Sequence, residues 1–168
     1  MTRAEKQKGG EHVDAQGITV ELPSGQVELR ELVLDFTGTL ACDGELLPGV
    51  QERLEALSKR VRISVMTADT CGTAATALAK LPVTLNRIET GADKVRLVQA
   101  IGPEQVVAVG NGANDVGMLE LARLGIAIIG PEGLAAPLLR VADIAVGDVR
   151  SALDLLTHPL RIKATLRP

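Results

Sequence analysis

Residues 32–40, Leu-Val-Leu-Asp-Phe-Thr-Gly-Thr-Leu, combine a short apolar run with an acidic residue and a tight turn. The run at residues 32–34 is typical of a buried strand, and Gly38 interrupts it. Asp35 is therefore expected at the carboxyl end of a strand, where open α/β sheets bind their ligands. An aspartate there suits a nucleophile, and the backbone N–H groups of the turn suit phosphate oxygens. The alternative is that Asp35 is an ordinary turn residue, since Asp favours turns.

Two polar residues follow later in the chain at positions that suit the same chemistry. Thr67 comes directly after an apolar stretch at residues 61–66, and its hydroxyl can donate to a phosphoryl oxygen; a strand-end Thr without a ligand is the alternative. Lys94 lies in the first turn of a predicted helix, where the helix dipole disfavours a cation. A lysine there either points into solvent or balances a buried negative charge.

Residues 109–115, Val-Gly-Asn-Gly-Ala-Asn-Asp, supply further polar side chains between a predicted strand and a predicted helix. A dinucleotide fingerprint needs a third small residue at position 115, where Asp115 would instead face the pyrophosphate. The chain also has no Gly-Lys-Ser/Thr triplet, which excludes a P-loop. Asn111 and Asp115 offer hard oxygen ligands, which favour magnesium, and no His or Cys spacing supports zinc.

The elements that must position these residues alternate between strands and helices. A small hairpin is predicted at residues 18–22 and 27–29, ahead of the strand that carries Asp35. The later strands are predicted at residues 61–66, 83–88, 105–109, 126–129 and 144–146, and the helices at 48–59, 71–80, 92–101, 114–124, between the last two strands, and at 149–157. This order predicts an α/β protein: a Rossmann-like three-layer sandwich with a mostly parallel sheet and helices on both faces. Residues 1–16 are predicted to be a flexible tail, and 17–168 a single domain.

The composition argues against some classes of binding partner and indicates the cellular compartment in which the protein is expected. Net charge is −3 and the chain has one aromatic residue, which argues against nucleic acid or an anionic membrane surface as a partner. Two cysteines, Cys42 and Cys71, fit a reducing compartment. No apolar run approaches 18 residues and no signal peptide is evident, so a cytoplasmic protein is expected.

Taken together, the four polar positions resemble motifs of the haloacid dehalogenase-like superfamily, and within it soluble proteins similar to the phosphorylation domain of P-type ATPases. Residues 35–40 resemble the pump motif Asp-Lys-Thr-Gly-Thr, with Phe36 in place of Lys. Residues 66–69, Met-Thr-Ala-Asp, are similar to Thr-Gly-Asp, and Lys94 matches the motif lysine. Residues 110–115 resemble Gly-Asp-Gly-x-Asn-Asp, with Asn111 for the first Asp. The resemblance spans roughly residues 32–147, most of the chain.

The resemblance implies an Mg²⁺-dependent phosphohydrolase in which Asp35 forms an aspartyl-phosphate. Thr67 and Lys94 would then hold the phosphoryl oxygens. The metal would bind the Asp35 carboxylate, the Thr37 carbonyl and Asn111, with Asp115 as a further ligand or directly behind them. The residues expected to line the substrate are Phe36, Gly38, Thr39, Ala68, Asp69 and Asn114.

Two departures from the family pattern refine this expectation. Most phosphatases of the superfamily have an Asp as general acid and base where this chain has Thr37, so alkyl phosphates should react slowly and aryl or acyl phosphates faster. Asp43, Glu45 and Asp69 are the residues that can replace that acid. Asn111 removes one carboxylate from the metal site, which predicts weaker, millimolar Mg²⁺ dependence.

The spacing of the motifs leaves no room for an inserted cap domain, so we expect an open site that takes a large substrate or is covered by a second copy of the chain. Two alternatives to a phosphohydrolase remain. One is a regulatory or scaffold protein that binds phosphate and Mg²⁺ with negligible turnover. The other is a phosphotransfer protein whose aspartyl-phosphate is long-lived.

Overall fold

The computed structural model describes residues 15–68 and 72–168. Its strands are β1 (Ile18–Leu22), β2 (Gly25–Leu29), β3 (Glu31–Asp35), β4 (Ala41–Cys42), β5 (Glu45–Leu46), β6 (Arg62–Thr67), β7 (Thr84–Arg87), β8 (Val106–Gly110), β9 (Leu124–Ile128) and β10 (Ile144–Val146). Its α-helices are α1 (Val50–Leu57), α2 (Thr73–Leu78), α3 (Gly91–Ile101), α4 (Val116–Leu121), α5 (Val149–Thr157) and α6 (Pro159–Leu166). Short 3₁₀ turns cover Pro103–Gln105, Ala113–Asp115 and Ala136–Arg140.

Six parallel strands form the central sheet in the order β10-β9-β8-β3-β6-β7. Strands β3, β8 and β9 are buried along their whole length, as their near-continuous apolar sequences predict. Asp35 pairs in register with Met66, and Leu34 pairs with Val109. Thr67 and Asn111 therefore follow one residue beyond the level of Asp35, on the strands to either side of β3.

Side chains alternate along β3 between two apolar clusters, one on each face of the sheet. Leu32 and Leu34 lie in the cluster that includes residues of α1, α5, α6 and the β1–β2 hairpin. Val33 lies in the other, with residues of α3 and α4. The predicted three-layer α/β architecture and its small N-terminal hairpin are confirmed.

The predicted helix at residues 114–124 is wrong at both ends. Its first part is the 3₁₀ turn at 113–115, and α4 ends at Leu121 because Ala122 is already extended. The backbone N–H of Arg123 donates to the Pro103 carbonyl at 2.9 Å, and β9 then begins at Leu124.

Helix α6 is absent from the sequence prediction. Pro159 occupies the first turn of this helix, where its missing N–H costs nothing, whereas the last predicted helix ends at residue 157. The fully buried Ile162 of α6 belongs to the same apolar cluster as β1. Between β9 and β10 the predicted helix is only the 3₁₀ turn at 136–140.

Besides β6, which ends at Thr67, the chain between Asp35 and Thr67 forms only β4, β5 and α1. Besides the start of α3, which carries Lys94, the described residues between Thr67 and Lys94 form only α2 and β7. The described residues of these two intervals contain no cap domain. Residues 1–14 and 69–71 lie outside the described residues, so the predicted tail remains a prediction there, while Ala15 is buried against the domain. No helix in the described part of the chain has the length and apolar character needed to cross a bilayer.

Candidate active site

Asp35 is the last residue of β3 and is 7% exposed. One carboxylate oxygen, Oδ1, accepts a hydrogen bond from Lys94 Nζ at 2.6 Å. The other, Oδ2, lies 3.2 Å from the Thr39 hydroxyl in the turn that follows the strand. The predicted nucleophile therefore lies at the carboxyl edge of the sheet with a different polar group at each oxygen.

Lys94 reaches Asp35 because helix α3 begins in a fixed place. Its first turn is held by a capping box, in which the Thr90 backbone N–H donates to Asp93 Oδ2 at 2.8 Å. Gly91 packs so closely on the 113–115 turn that a Cβ there would lie 2.8 Å from the Asn114 carbonyl oxygen. Lys94 is fully buried and balances buried negative charge, which is the second of the two alternatives that the sequence left open.

Asp115 is fully buried and closes the loop between β8 and α4. Its Oδ1 accepts from Lys94 Nζ at 2.5 Å, and its Oδ2 accepts from the backbone N–H groups of Asn111 and Gly112 at 3.1 and 2.9 Å. A Cβ at Gly110 would overlap this carboxylate, so only glycine fits there. Both oxygens of Asp115 are thus engaged, one by Lys94 and one by the loop backbone, and its predicted place as a metal ligand or directly behind the ligands stays a prediction.

Two buried carboxylates share one buried ammonium group, which leaves an excess of negative charge at the edge of the sheet. Burial and the nearby Asp115 raise the pKa of Asp35 to about 6, and Lys94 opposes that rise. Burial lowers the pKa of Lys94, but Asp35 and Asp115 more than offset this, so its pKa lies above the usual value. Lys94 is therefore a permanent cation beside the carboxylate at neutral pH.

Asn111 and Asp35 direct oxygens towards the same hydroxyl group. Thr39 Oγ1 lies 3.1 Å from Asn111 Oδ1 and 3.2 Å from Asp35 Oδ2, and its single proton can go to only one of them at a time. Gly38 has a positive φ of 76°, and a Cβ there would lie 2.6 Å from Asn111 Nδ2. The glycine of the turn is thus needed both for its backbone angle and for the approach of Asn111.

The convergence of these two oxygens fits a hard divalent cation. Asp35 Oδ2 is a carboxylate oxygen and Asn111 Oδ1 an amide oxygen, both of the kind that Mg²⁺ binds. Their neighbour Thr37 would contribute its backbone carbonyl in the predicted ligand set. A Mg²⁺ ion held there would neutralise charge on the side of Asp35 that Lys94 does not reach.

The remaining predicted site residues divide into buried and exposed groups. Thr67 is buried at the end of β6, whereas Thr37, Ala68 and Asn114 are exposed to solvent. Phe36 is 1% exposed and belongs to the apolar core, so its side chain does not line the site, and its expected contact with substrate is not supported by the geometry. Asp69 lies outside the described residues.

Two segments near the site were not identified from the sequence. The flap, residues 41–46, is the two-stranded β4–β5 hairpin, and loop 130–133 follows β9. Glu132 Oε1 of the loop accepts from the backbone N–H of Asp43 in the flap at 3.2 Å. The dipeptide Asp43-Gly44, with φ of 50° and 83°, is a strong hairpin signal that could have located the flap.

Sequence comparisons identify the relatives of this chain. The family profile of haloacid dehalogenase-like hydrolases matches residues 71–129. An uncharacterized protein of Methanocaldococcus jannaschii is 40% identical over 78 residues, which cover 44% of this chain and 84% of that protein. A phospholipid-transporting ATPase of Saccharomyces cerevisiae is 42% identical over 62 residues, which cover 37% of this chain and 4% of the ATPase. The chain therefore corresponds to a small part of that pump.

The fold is shared with solved structures of phosphatases. One is the 3-deoxy-D-manno-octulosonate 8-phosphate phosphatase from Moraxella catarrhalis, which was crystallised in complex with magnesium, phosphate and KDO. It superposes with a TM-score of 0.59 and 16% identity, covering 83% of this chain and 94% of that one. At 16% identity this phosphatase shares the fold alone. By its match to the family profile, and with a relative that is 40% identical and covered over 84% of its length, the chain belongs to the haloacid dehalogenase-like hydrolases.

Proposed function

We propose that this protein is a Mg²⁺-dependent phosphohydrolase that works through an aspartyl-phosphate on Asp35. The observation that carries the proposal is the placement of Asp35 between Lys94, which contacts Oδ1, and the Thr39 hydroxyl, which lies beside both Oδ2 and the side-chain oxygen of Asn111. A carboxylate flanked in this way can be neutralised on both sides as it approaches a negatively charged phosphoryl group. Such neutralisation supplies most of the catalysis in phosphoryl transfer.

The proposed reaction has two steps. A carboxylate oxygen of Asp35 forms a bond to phosphorus, the bond from phosphorus to the leaving oxygen breaks, and the leaving group departs with the electron pair of that bond. Lys94 and the Thr67 hydroxyl stabilise the phosphoryl oxygens during this transfer. Water then attacks phosphorus, inorganic phosphate is released, and the Asp35 carboxylate is restored. Bound Mg²⁺ would supply positive charge between Asp35 and the phosphoryl group.

The relatives support this assignment in chemical class. The Moraxella phosphatase was crystallised with magnesium and phosphate, and P-type ATPases are the pumps whose sequence this chain matches locally. The exposure of Thr37, Ala68 and Asn114 to solvent suits a large phosphorylated substrate or coverage by a second copy of the chain.

The first experiment is turnover of p-nitrophenyl phosphate with and without MgCl₂ for the wild-type protein, Asp35→Asn and Glu31→Gln. We expect metal-dependent release that falls on the order of 10³-fold or more in Asp35→Asn, because the nucleophile is lost. Glu31 is a buried carboxylate at the other end of the same strand, so its variant controls for loss of a β3 carboxylate and should keep wild-type turnover. Metal-independent release, or equal release from Asp35→Asn, would contradict the proposal.

Thr37 sets the leaving-group preference within this proposal. Its hydroxyl is not acidic enough to protonate an alkoxide, so alkyl phosphates should react slowly and aryl phosphates faster. Since Thr37 is exposed to solvent, Thr37→Asp should fold normally and place a carboxyl group at this position. We expect alkyl phosphate turnover to rise by about 10²–10⁴-fold in this variant. Thr37→Ser is the matched control, and an unchanged alkyl rate in Thr37→Asp would remove residue 37 from the leaving-group side.

The same threonine favours a second function, phosphotransfer through a long-lived aspartyl-phosphate. Without a general base at position 37 the attacking water is not activated, so the second step is expected to be slower than the first. Acid quenching of the protein after incubation with ³²P-labelled acetyl phosphate distinguishes the two. Label that is retained for minutes on the wild-type protein and absent from Asp35→Asn supports phosphotransfer, whereas rapid loss supports a phosphatase. No label and no turnover would favour a regulatory or scaffold protein that only binds phosphate and Mg²⁺.

A further inference from the structure

Asn111 makes contacts with both ends of its side-chain amide. Its Oδ1 faces Thr39 at the proposed metal position, and its Nδ2 donates to the Gly133 carbonyl at 3.0 Å. We propose that Asn111 is a positioning residue whose amide nitrogen holds loop 130–133, and through Glu132 the flap, beside Asp35 while its oxygen serves the metal site. The inference rests on the proposed function for two points, Asp35 as the reacting group and the metal position beside it.

The chemistry of the contact explains why an amide is needed. The Gly133 carbonyl can only accept a hydrogen bond, so the group that faces it must be a donor. Asn111 is 8% exposed, and an ionised carboxylate in its place would present an oxygen to that carbonyl with little water to separate the two. An aspartate at residue 111 would therefore strengthen the attraction for Mg²⁺ and remove the donor for loop 130–133.

Loop 130–133 connects Asn111 to the flap through a series of contacts. The Gly133 N–H donates to the Gly130 carbonyl at 2.9 Å and closes the loop. Gly130 lies so close to the Gly38 carbonyl oxygen that a Cβ would overlap it, which seats the loop on the turn next to Asp35. Glu132 then accepts from the Asp43 N–H of the flap at 3.2 Å.

A second contact limits how far the loop can move. The backbone N–H of Ala135 donates to the Asn111 carbonyl at 2.8 Å, and this bond does not depend on the side chain of residue 111. Loss of the amide should therefore loosen residues 130–133 and the flap, and leave the chain fixed at Ala135.

Amide hydrogen exchange measured by NMR on the metal-free protein tests the proposal without turnover. We expect Asn111→Asp to speed exchange of the Gly133 and Asp43 amides about tenfold, while the Ala135 amide keeps its wild-type rate. Glu132→Ala should speed exchange at Asp43, and Glu132→Gln, which retains an acceptor, should not. In the double variant Asn111→Asp/Glu132→Ala, exchange at Asp43 should be no faster than in Glu132→Ala alone, because both changes break one chain of contacts.

Two further measurements separate this role from metal binding and from general destabilisation. Calorimetric titration with MgCl₂ should give a tighter Kd for Asn111→Asp than for the wild-type protein. With p-nitrophenyl phosphate, Glu132→Ala should leave kcat unchanged, since it alters the flap and not the reacting groups.

Wild-type exchange at Gly133 and Asp43 in Asn111→Asp would overturn the positioning role, even with tighter Mg²⁺ binding. Faster exchange at Ala135 as well would also overturn it, because the whole segment would then be destabilised. If the wild-type protein proves to lack turnover, the proposed function fails, while the exchange experiment still tests the link from Asn111 to the flap.

Discussion

The two ends of β3 each carry a buried carboxylate paired with a cation. At the amino end, Glu31 is 6% exposed and accepts from Arg62 Nε at 2.5 Å. At the carboxyl end, Asp35 is 7% exposed and accepts from Lys94 Nζ at 2.6 Å. By burial and pairing alone the two ends are almost alike.

The partners of the two carboxylates differ. The Arg62 side chain is 49% exposed and pairs with Glu31, so charge there is balanced and in contact with water. Lys94 is fully buried and shared by Asp35 and Asp115, and the Asn111 side-chain oxygen lies beside the Thr39 hydroxyl that contacts Asp35. What distinguishes the proposed active site from the Glu31 end is therefore its excess of buried negative charge and its additional oxygens, and not the buried ion pair itself.

The largest effect on stability should come from removing each cation. Lys94→Met would remove the cation shared by two buried carboxylates, which must then either take up a proton or stay ionised without a partner, and we expect it to lower the free energy of unfolding by about 3–5 kcal/mol at pH 7. Arg62→Met is the matched control at the other end of β3. Because water reaches the place that Arg62 leaves, its cost should be on the order of 1 kcal/mol. Urea unfolding measures both, and equal losses would mean that the two ends are energetically equivalent.

Asp35 should make the stability of the metal-free protein depend on pH. The folded-state pKa of Asp35 is about 6 against a model-peptide value of 3.8, so between these values the folded protein binds a proton that the unfolded chain does not. Wild-type stability from this group is therefore gained as pH falls through that window and lost as pH rises. Asp35→Asn removes the titration, so its stability relative to wild type should be greatest above pH 6 and decline towards pH 4.

Glu31→Gln is the control for that titration. Its carboxylate has a cation of its own, so the variant should lose an ion pair and gain no stability at pH 7. Urea unfolding of both variants at pH 4, 5, 6 and 7 tests the comparison. A stability difference between Asp35→Asn and wild type that does not change with pH would show that the buried carboxyl is not costly when ionised.

Much of the sheet edge could be predicted because local sequence determines it. The apolar runs located β3, β6 and β8, and parallel order then placed Asp35, Thr67 and Asn111 at one edge. The helix predicted at residues 92–101 matches α3 to within one residue at its start, although the side to which Lys94 turns depended on Asp115, which is distant in sequence.

The other features of the fold and the site could not be predicted, because they depend on tertiary contacts or lie in elements too short to show a hydrophobic periodicity. The flap strands have two residues each, and only Asp43-Gly44 marks them. Pro159 interrupts the helical pattern, and α6 is stabilised by burying Ile162 in the core, which no local signal reports. The contact from Asn111 to Gly133 joins residues 22 positions apart, and its existence depends on how loop 130–133 folds.

The smallest effect we predict concerns the packing of helix α3 on the 113–115 turn, which brings the second carboxylate, Asp115, to Lys94. Gly91 lies against the Asn114 backbone, so Gly91→Ala must push α3 away from the 113–115 turn and draw Lys94 from Asp115. We expect a loss of about 1–3 kcal/mol in unfolding free energy and a fall of about tenfold in kcat.

Gly147→Ala is the matched change at a glycine with open space around it and no positive φ, and it should leave both quantities within error or raise stability slightly. Thermal unfolding and p-nitrophenyl phosphate turnover test the pair. If Gly91→Ala lowers stability and leaves kcat intact, Lys94 still functions when α3 moves away from the turn. The contact of Lys94 with Asp115 would then stabilise the fold and contribute little to turnover. If kcat falls with stability, the close approach at Gly91 is what distinguishes the reactive end of β3 from the end that carries Glu31.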